Sequence, residues 1–273
     1  MFITWLVVSA ALSFIFGAWL IQPVLGLLRR GGLVRENYRR QEIPTGSGLV
    51  LPLAVTPSAL LSLAVASSGA LIRSLSAELI LLNGMALLGL LDDSAGQGTT
   101  RGLVGHLRRL WHGELTTGAV KALYGICIAF LSASLIPDKS LLERTVSTAV
   151  IALSANAVNL FDLRPGRALK AFFLAYAIIA FLTGSAGLLT MSVAAAALSL
   201  VSVDLAGEAM LGDTGANVLG SSLGFFIVSQ ASRGGEITAL SLLTALHVYA
   251  EFSSINSLIE RVSFLNWLDS LGR

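Results

Sequence analysis

Phe2-Ile-Thr-Trp-Leu-Val-Val-Ser-Ala-Ala-Leu-Ser-Phe-Ile-Phe-Gly-Ala-Trp-Leu-Ile-Gln-Pro-Val-Leu-Gly-Leu-Leu28 contains no charged residue. A helix needs about 20 apolar residues to cross a bilayer, and this run is longer than that. It also exceeds the apolar core of a secretion signal, and no basic residue precedes it, so it is read as a retained first span. Runs of the same character recur along the chain. Of its 273 residues, 55% are hydrophobic and 12% charged, a balance that places the chain among polytopic membrane proteins. The expected fold is an all-α integral membrane bundle of about nine transmembrane helices, over residues 2–28, 48–72, 75–91, 118–136, 145–160, 169–183, 186–203, 214–231 and 237–256.

The arrangement of charge orients these segments. Arg29, Arg30, Arg35, Arg39 and Arg40 fall between the first two; Arg101, Arg108 and Arg109 follow the third; Arg164 and Arg167 follow the fifth. With alternating spans these connections share one side, and only Arg73, Lys139, Arg144 and Arg233 lie on the other. The positive-inside rule then puts the N-terminus outside and the basic loops in the cytoplasm. Residues 1–256 make one polytopic domain, and 257–273 a tail. Ile255, Leu258, Ile259, Val262, Leu265 and Leu268 recur in that tail at helical spacing, predicting an amphipathic helix on the membrane surface. Leu103, Val104, Leu107, Leu110 and Trp111 give 101–112 a similar character. Cys127 is alone, and His106, His112 and His247 lack a metal-ligand spacing.

The same orientation brings Asp92, Asp93, Asp162, Asp204 and Asp213 to the cytoplasmic face. Scattered helix caps would divide between the two sides, so this convergence favours a single site. Asp92-Asp93 ends a helix, where paired carboxylates oppose each other and the helix dipole unless a cation compensates. Asn156, Asn159 and Asp162 repeat every three residues along one helix face. Arg164-Pro-Gly-Arg167 places two guanidiniums around a turn, either as a phosphate clamp or as an ordinary basic flank. Gly212-Asp-Thr-Gly215 precedes a helix. Asp213 and Thr214 are its candidate N-caps, and the helix N-terminus is a candidate anion or metal–phosphate site. Lys121 either snorkels to the interface or neutralises a phosphate. Asn37, Arg39 and Thr45 lie in a basic, glycine-containing loop suited to a phosphate. Gly220 and Gly224 form a small-residue pair for close helix packing.

In this order the segments resemble the polyprenyl-phosphate N-acetylhexosamine-1-phosphate transferases, the MraY/WecA-like family, over residues 29 to 225. Asp92-Asp93 is similar to the family's first aspartate motif. Asn156-Ala-Val-Asn-Leu-Phe-Asp162 resembles its Asn-x-x-Asn-x-x-Asp motif, and Met210-Leu-Gly-Asp-Thr-Gly215 its Met-Gly-Asp-x-Gly segment. Ile43-Pro-Thr-Gly-Ser-Gly48 resembles its early Pro-Thr-Gly turn. The resemblance implies transfer of a sugar-1-phosphate from a UDP-sugar to polyprenyl (undecaprenyl) phosphate, with Mg²⁺ as cofactor and UMP as leaving group. It implies Asp213 and Asp92 as metal ligands, with Asp92, Asp93, Asp162 and Lys121 as catalytic residues and one of the Asp92-Asp93 pair as base. Asn156, Asn159, Arg164, Arg167, Asn37, Arg39 and Thr45 are implied as substrate contacts. The implied setting is the bacterial cytoplasmic membrane, with the bilayer and a second copy of the chain as partners and no nucleic acid.

Two departures bear on the substrate. Asp162-Leu-Arg-Pro-Gly166 stands where the family commonly has Asp-Gly-x-Asp-Gly, and the histidine-rich last loop of the muramoyl-pentapeptide enzymes is absent. Both argue against a muramoyl-pentapeptide donor. The alternatives are a non-catalytic relative that binds polyprenyl phosphate or organises an envelope complex, and a transporter. The latter would place its carboxylates near the midplane.

Overall fold

Apolar runs bounded by Ser, Gly and Pro fold into long helices in the computed structural model, which describes residues 2–95, 109, 113 and 116–272. The protein is all-α and 80% helical. Helix α1 is Phe2–Arg30. A hairpin of β1 (Val34–Glu36) and β2 (Glu42–Pro44) follows, then a 3-10 turn at Ser47–Leu49. Helices α2 (Val50–Val65), α3 (Gly69–Ser94), α4 (Thr117–Ser134), α5 (Leu141–Phe161) and α6 (Arg167–Thr183) come next. They are succeeded by α7 (Leu188–Leu205), α8 (Gly212–Gln230) and α9 (Arg233–Phe252), then the short α10 (Ile255–Arg261) and α11 (Ser263–Ser270).

The long helices fall on the segments drawn from hydropathy, with one boundary displaced. α2 stops at Val65, and α3 begins at Gly69 because the Ser68 hydroxyl accepts from Leu71 N at 3.1 Å, an N-cap that starts a new helix. Among the described residues, five helical segments are long and apolar enough to cross a membrane: Thr4–Arg30, Ser47–Val65, Gly69–Ser94, Thr117–Ser134 and Leu188–Leu205. They fit a multi-pass membrane protein. Large apolar side chains on the outside agree, such as Trp19 at 68% exposed and Phe181 at 86%; a water-facing surface rarely carries so many.

Helix α8 is the central element. Every residue from Thr214 to Phe226 is buried, and α3, α5, α6 and the 3-10 turn pack around it. Its polar side chains therefore face protein. The Gly220–Gly224 pair serves close packing: a Cβ on Gly220 would lie 2.2 Å from Ser154 O, and one on Gly224 2.7 Å from Ile151 Cα. At the end of the bundle formed by the α4–α5 turn, Lys139 Nζ pairs with Glu236 at 2.8 Å and donates to Ser147 at 2.7 Å. This ties the turn to α9.

Two sequence expectations change. The basic segment after α1 is an ordered antiparallel hairpin, with Val34 opposite Pro44 and Glu36 opposite Glu42. The tail is two short helices broken at Val262, whose backbone is extended. Ile255, Ile259 and Asp269 are buried against the protein, while Phe264 and Trp267 pack on each other, 6.0 Å between ring centroids, and stay exposed. The amphipathic reading of 101–112 concerns residues outside those described, Arg109 apart.

Candidate functional site

The loop entering α8 is held from two directions. Met210 N donates to Pro44 O at 2.8 Å, Ser47 N to Met210 O at 3.0 Å, and Gly48 N to Leu211 O at 3.0 Å, so the hairpin and 3-10 turn fix its backbone. From the other side come carboxylates on three helices. Asp204 of α7 lies near Leu211 N–H, and Asp162 at the end of α5 lies near Gly212 N–H. Asp213 N donates to Asp93 Oδ1 at 3.1 Å, and Thr214 donates to Asp93 Oδ2 through its N (3.0 Å) and its hydroxyl (2.7 Å). A helix start leaves its first N–H groups unpaired and carries partial positive charge; here the protein's own aspartates fill that role.

This corrects two expectations. Neither Asp213 nor Thr214 caps α8 through its own side chain; Asp93 caps it from α3. The helix N-terminus is also not open to cradle a phosphate, because Asp93 already takes the N–H groups of Asp213 and Thr214. Asp204 accepts from Gly166 N at 2.7 Å, and so shapes the turn that begins α6.

Asp92 and Asp213 lie differently. Lys121 of α4 makes a short ion pair with Asp213 and lies 3.6 Å from Asp92 Oδ2. The two carboxyls are within hydrogen-bonding reach of each other, and the Asn159 amide contacts Asp213. The close approach of α3 and α8 depends on Gly89, where a Cβ would lie 2.5 Å from Asp213 O and from Thr214 N.

Beside this group is a cavity of about 200 Å³. Its wall includes Asp93, Asp162, Asp204 and Asp213 together with Asn159, Arg35 and Arg164. Loss of water, then the neighbouring Asp204, Asp213 and Asp93 carboxylates, push the Asp162 carboxyl well above its ordinary range. Four carboxyl groups and two guanidiniums thus share one wall.

The other expected contacts divide. Asn37 and Thr45 line the cavity, but both are buried. Asn37 is occupied in shaping the hairpin: its Oδ1 accepts from Arg39 N and Gln41 N, and its Nδ2 donates to Gly207 O. Asn156 is exposed and not part of the wall, because the helix face it shares with Asn159 turns outward one turn earlier. Arg39 stacks over Tyr38 at 5.0 Å and lines an adjoining open pocket with Arg29 and Glu208. Arg167 is not on the cavity; it is buried in a bidentate pair with Asp269 at 2.8 and 2.9 Å. Arg164 alone of that pair reaches the wall. Arg35 was read only as part of the basic flank. It lines the cavity and donates to the Asp93 carbonyl at 3.2 Å, a placement set by the hairpin register.

Among the described residues no group of three His, Cys, Asp or Glu side chains is arranged to hold a metal. Asp92 and Asp213 form a two-carboxylate set, which suits Mg²⁺, an ion that keeps several waters and takes its remaining ligands from substrate phosphates. Lys121 supplies positive charge at the same place. Searches against protein-family models and against curated proteins find no match.

Proposed function

We propose that the protein is an integral membrane transferase that moves a sugar-1-phosphate from a UDP-sugar, of UDP-N-acetylhexosamine type, to polyprenyl phosphate. The observation that carries this reading is the Asp92–Asp213 pair around Lys121, beside a cavity bearing Arg35 and Arg164 at one end of an apolar helix bundle. In this proposal the chain crosses the cytoplasmic membrane nine times, with its N-terminus outside and the cavity open to the cytoplasm.

The reaction is a phosphoryl transfer, governed mainly by positioning and charge neutralisation. An oxygen of the lipid phosphate attacks the β-phosphorus of the UDP-sugar. A new phosphorus–oxygen bond forms, the bond to the bridging oxygen breaks, and UMP leaves with that electron pair. Asp213 and Asp92 would hold Mg²⁺, which when bound neutralises phosphate charge. Lys121 contacts a phosphate once ligand draws it from Asp213. Arg35 and Arg164 bind phosphate oxygens across the cavity, and Asn159 holds Asp213 in place. Asp92 takes the proton when the lipid phosphate arrives singly protonated, since Asp93 has its oxygens committed to α8.

The second reading is a non-catalytic relative that binds polyprenyl phosphate. It is favoured by the same commitment: Asp93, Asp162 and Asp204 serve the backbone of residues 211–214. Purified protein in lipid, given undecaprenyl phosphate, Mg²⁺ and a panel of UDP-sugars, separates the two. Metal-dependent UMP release that Asp213→Asn abolishes supports the transferase. Saturable lipid-phosphate binding without UMP release from any donor supports the relative.

A further inference from the structure

The C-terminal helices α10 and α11 hold the turn between α5 and α6 through two ion pairs of opposite character. Arg167 and Asp269 are 4% and 5% exposed and bonded through both guanidinium edges. Lys170 Nζ adds bonds to the carbonyls of Asp269 at 2.8 Å and Leu271 at 2.6 Å. Breaking a buried pair leaves a stranded charge and is strongly unfavourable, so this is an anchor. Three residues before Arg167, Arg164 NH2 donates to Glu260 at 3.0 Å, with Asp269 a further 3.9 Å from its NH1. This pair is 42% and 54% exposed, and exposed pairs contribute little. Arg164 is also a cavity wall residue.

We infer that Glu260 is an internal counter-ion for Arg164, displaced when a phosphate-bearing ligand enters the cavity, while the Arg167–Asp269 anchor keeps the C-terminal strap in place. A phosphate gathers the guanidinium fork more strongly than one solvated carboxylate, because it offers several charged oxygens to the same planar donors. Glu260 thus lowers affinity for weak anions and holds Arg164 oriented until a phosphate arrives. The inference deepens the phosphate-binding reading of the cavity and rests on it.

Binding of UDP with Mg²⁺ and of farnesyl phosphate, measured by titration calorimetry on the full chain in nanodiscs at low salt, tests this. The proteins compared are wild type, Glu260→Gln, Arg164→Gln and the double variant; both substituted side chains are exposed. Glu260→Gln is expected to tighten one probe about threefold, identifying whether Arg164 takes the nucleotide or the lipid phosphate. Arg164→Gln is expected to weaken that same probe, and the double variant to match it. Unchanged affinity for both probes in Glu260→Gln would overturn the inference. So would an equal gain in the Arg164→Gln background, which would mark a long-range field, or no binding of either probe to any variant. UMP release separates this from the transferase reading: turnover without a Glu260 effect removes only the counter-ion role, and a Glu260 effect without turnover removes only the catalysis.

Discussion

Adjacent carboxylates can have opposite work, and Asp92 and Asp93 differ by their donors. Asp93 accepts two backbone N–H groups and a hydroxyl from α8, whereas Asp92 faces the Lys121 ammonium. Asp93→Ala should therefore cost roughly 2–4 kcal/mol, the scale of lost charge-assisted bonds at a buried helix start, read as a lower midpoint of thermal unfolding. Asp92→Asn should leave that midpoint nearly unchanged and reduce UMP release about 100-fold or more, the scale of losing one preorganised charge at a reaction centre. Asp162 sets a pH dependence. Its carboxyl is raised in the folded protein, so the folded state holds that proton more tightly than the unfolded chain. The associated stability is complete below the ordinary carboxylate range, about pH 4, and is lost as pH climbs from there through the raised value. In chelator, the unfolding midpoint of wild type should fall over that climb, and Asp162→Asn should flatten the fall.

At the scale of elements, the site exists because α3 and α8 meet backbone to backbone. Gly89→Ala would put a methyl carbon 2.5 Å from Asp213 O, so the helices must separate and the Asp92–Lys121–Asp213 group must open. Overpacking of this kind costs about 1–3 kcal/mol, and activity should fall with stability. Gly125→Ala on α4 is the matched control, since its Cβ would find only ordinary contacts at 3.8–3.9 Å. Unfolding midpoints of the two variants check the contrast: Gly125→Ala should hold or gain stability, because Ala favours a helix over Gly, and a Gly89→Ala midpoint that also holds or rises would overturn the role of the close approach. The hairpin contributes in the same way, because its pairing brings Arg35 to the wall that its basic-flank position did not reveal.

For the whole molecule, the nine-span proposal assigns sides. Single cysteines placed at Asp138, between α4 and α5, and at Glu208, between α7 and α8, in a Cys127→Ser background, should label oppositely with an impermeant thiol reagent. In intact cells Asp138→Cys should react and Glu208→Cys should react only after the membrane is opened. Labelling of both positions in intact cells would overturn the orientation. Helix α8, which carries Asp213, is enclosed by the other helices and is buried through thirteen consecutive positions, from Thr214 to Phe226.

Local chemistry in the chain was enough to determine the apolar periodicity, the helical segments and the grouping of acidic residues at their ends. Hydropathy acts over a few residues and is legible in order along the chain, as is the packing pair Gly220 with Gly224; the helix start at Ser68 was missed, because the apolar run drawn as 48–72 continues through it. Which aspartate caps a helix and which faces Lys121 was decided only by the tertiary structure. Asp93 meets Thr214, Asp204 meets Gly166 and Arg167 meets Asp269 across long stretches of chain. A carboxylate's role depends on the donors that folding brings to it, and those donors carry no mark in the residues beside it. The tail shows the same division: its apolar stripe was local and visible, but its break at Val262 and its hold on the α5–α6 turn follow from where Arg167 and Lys170 wait to receive it.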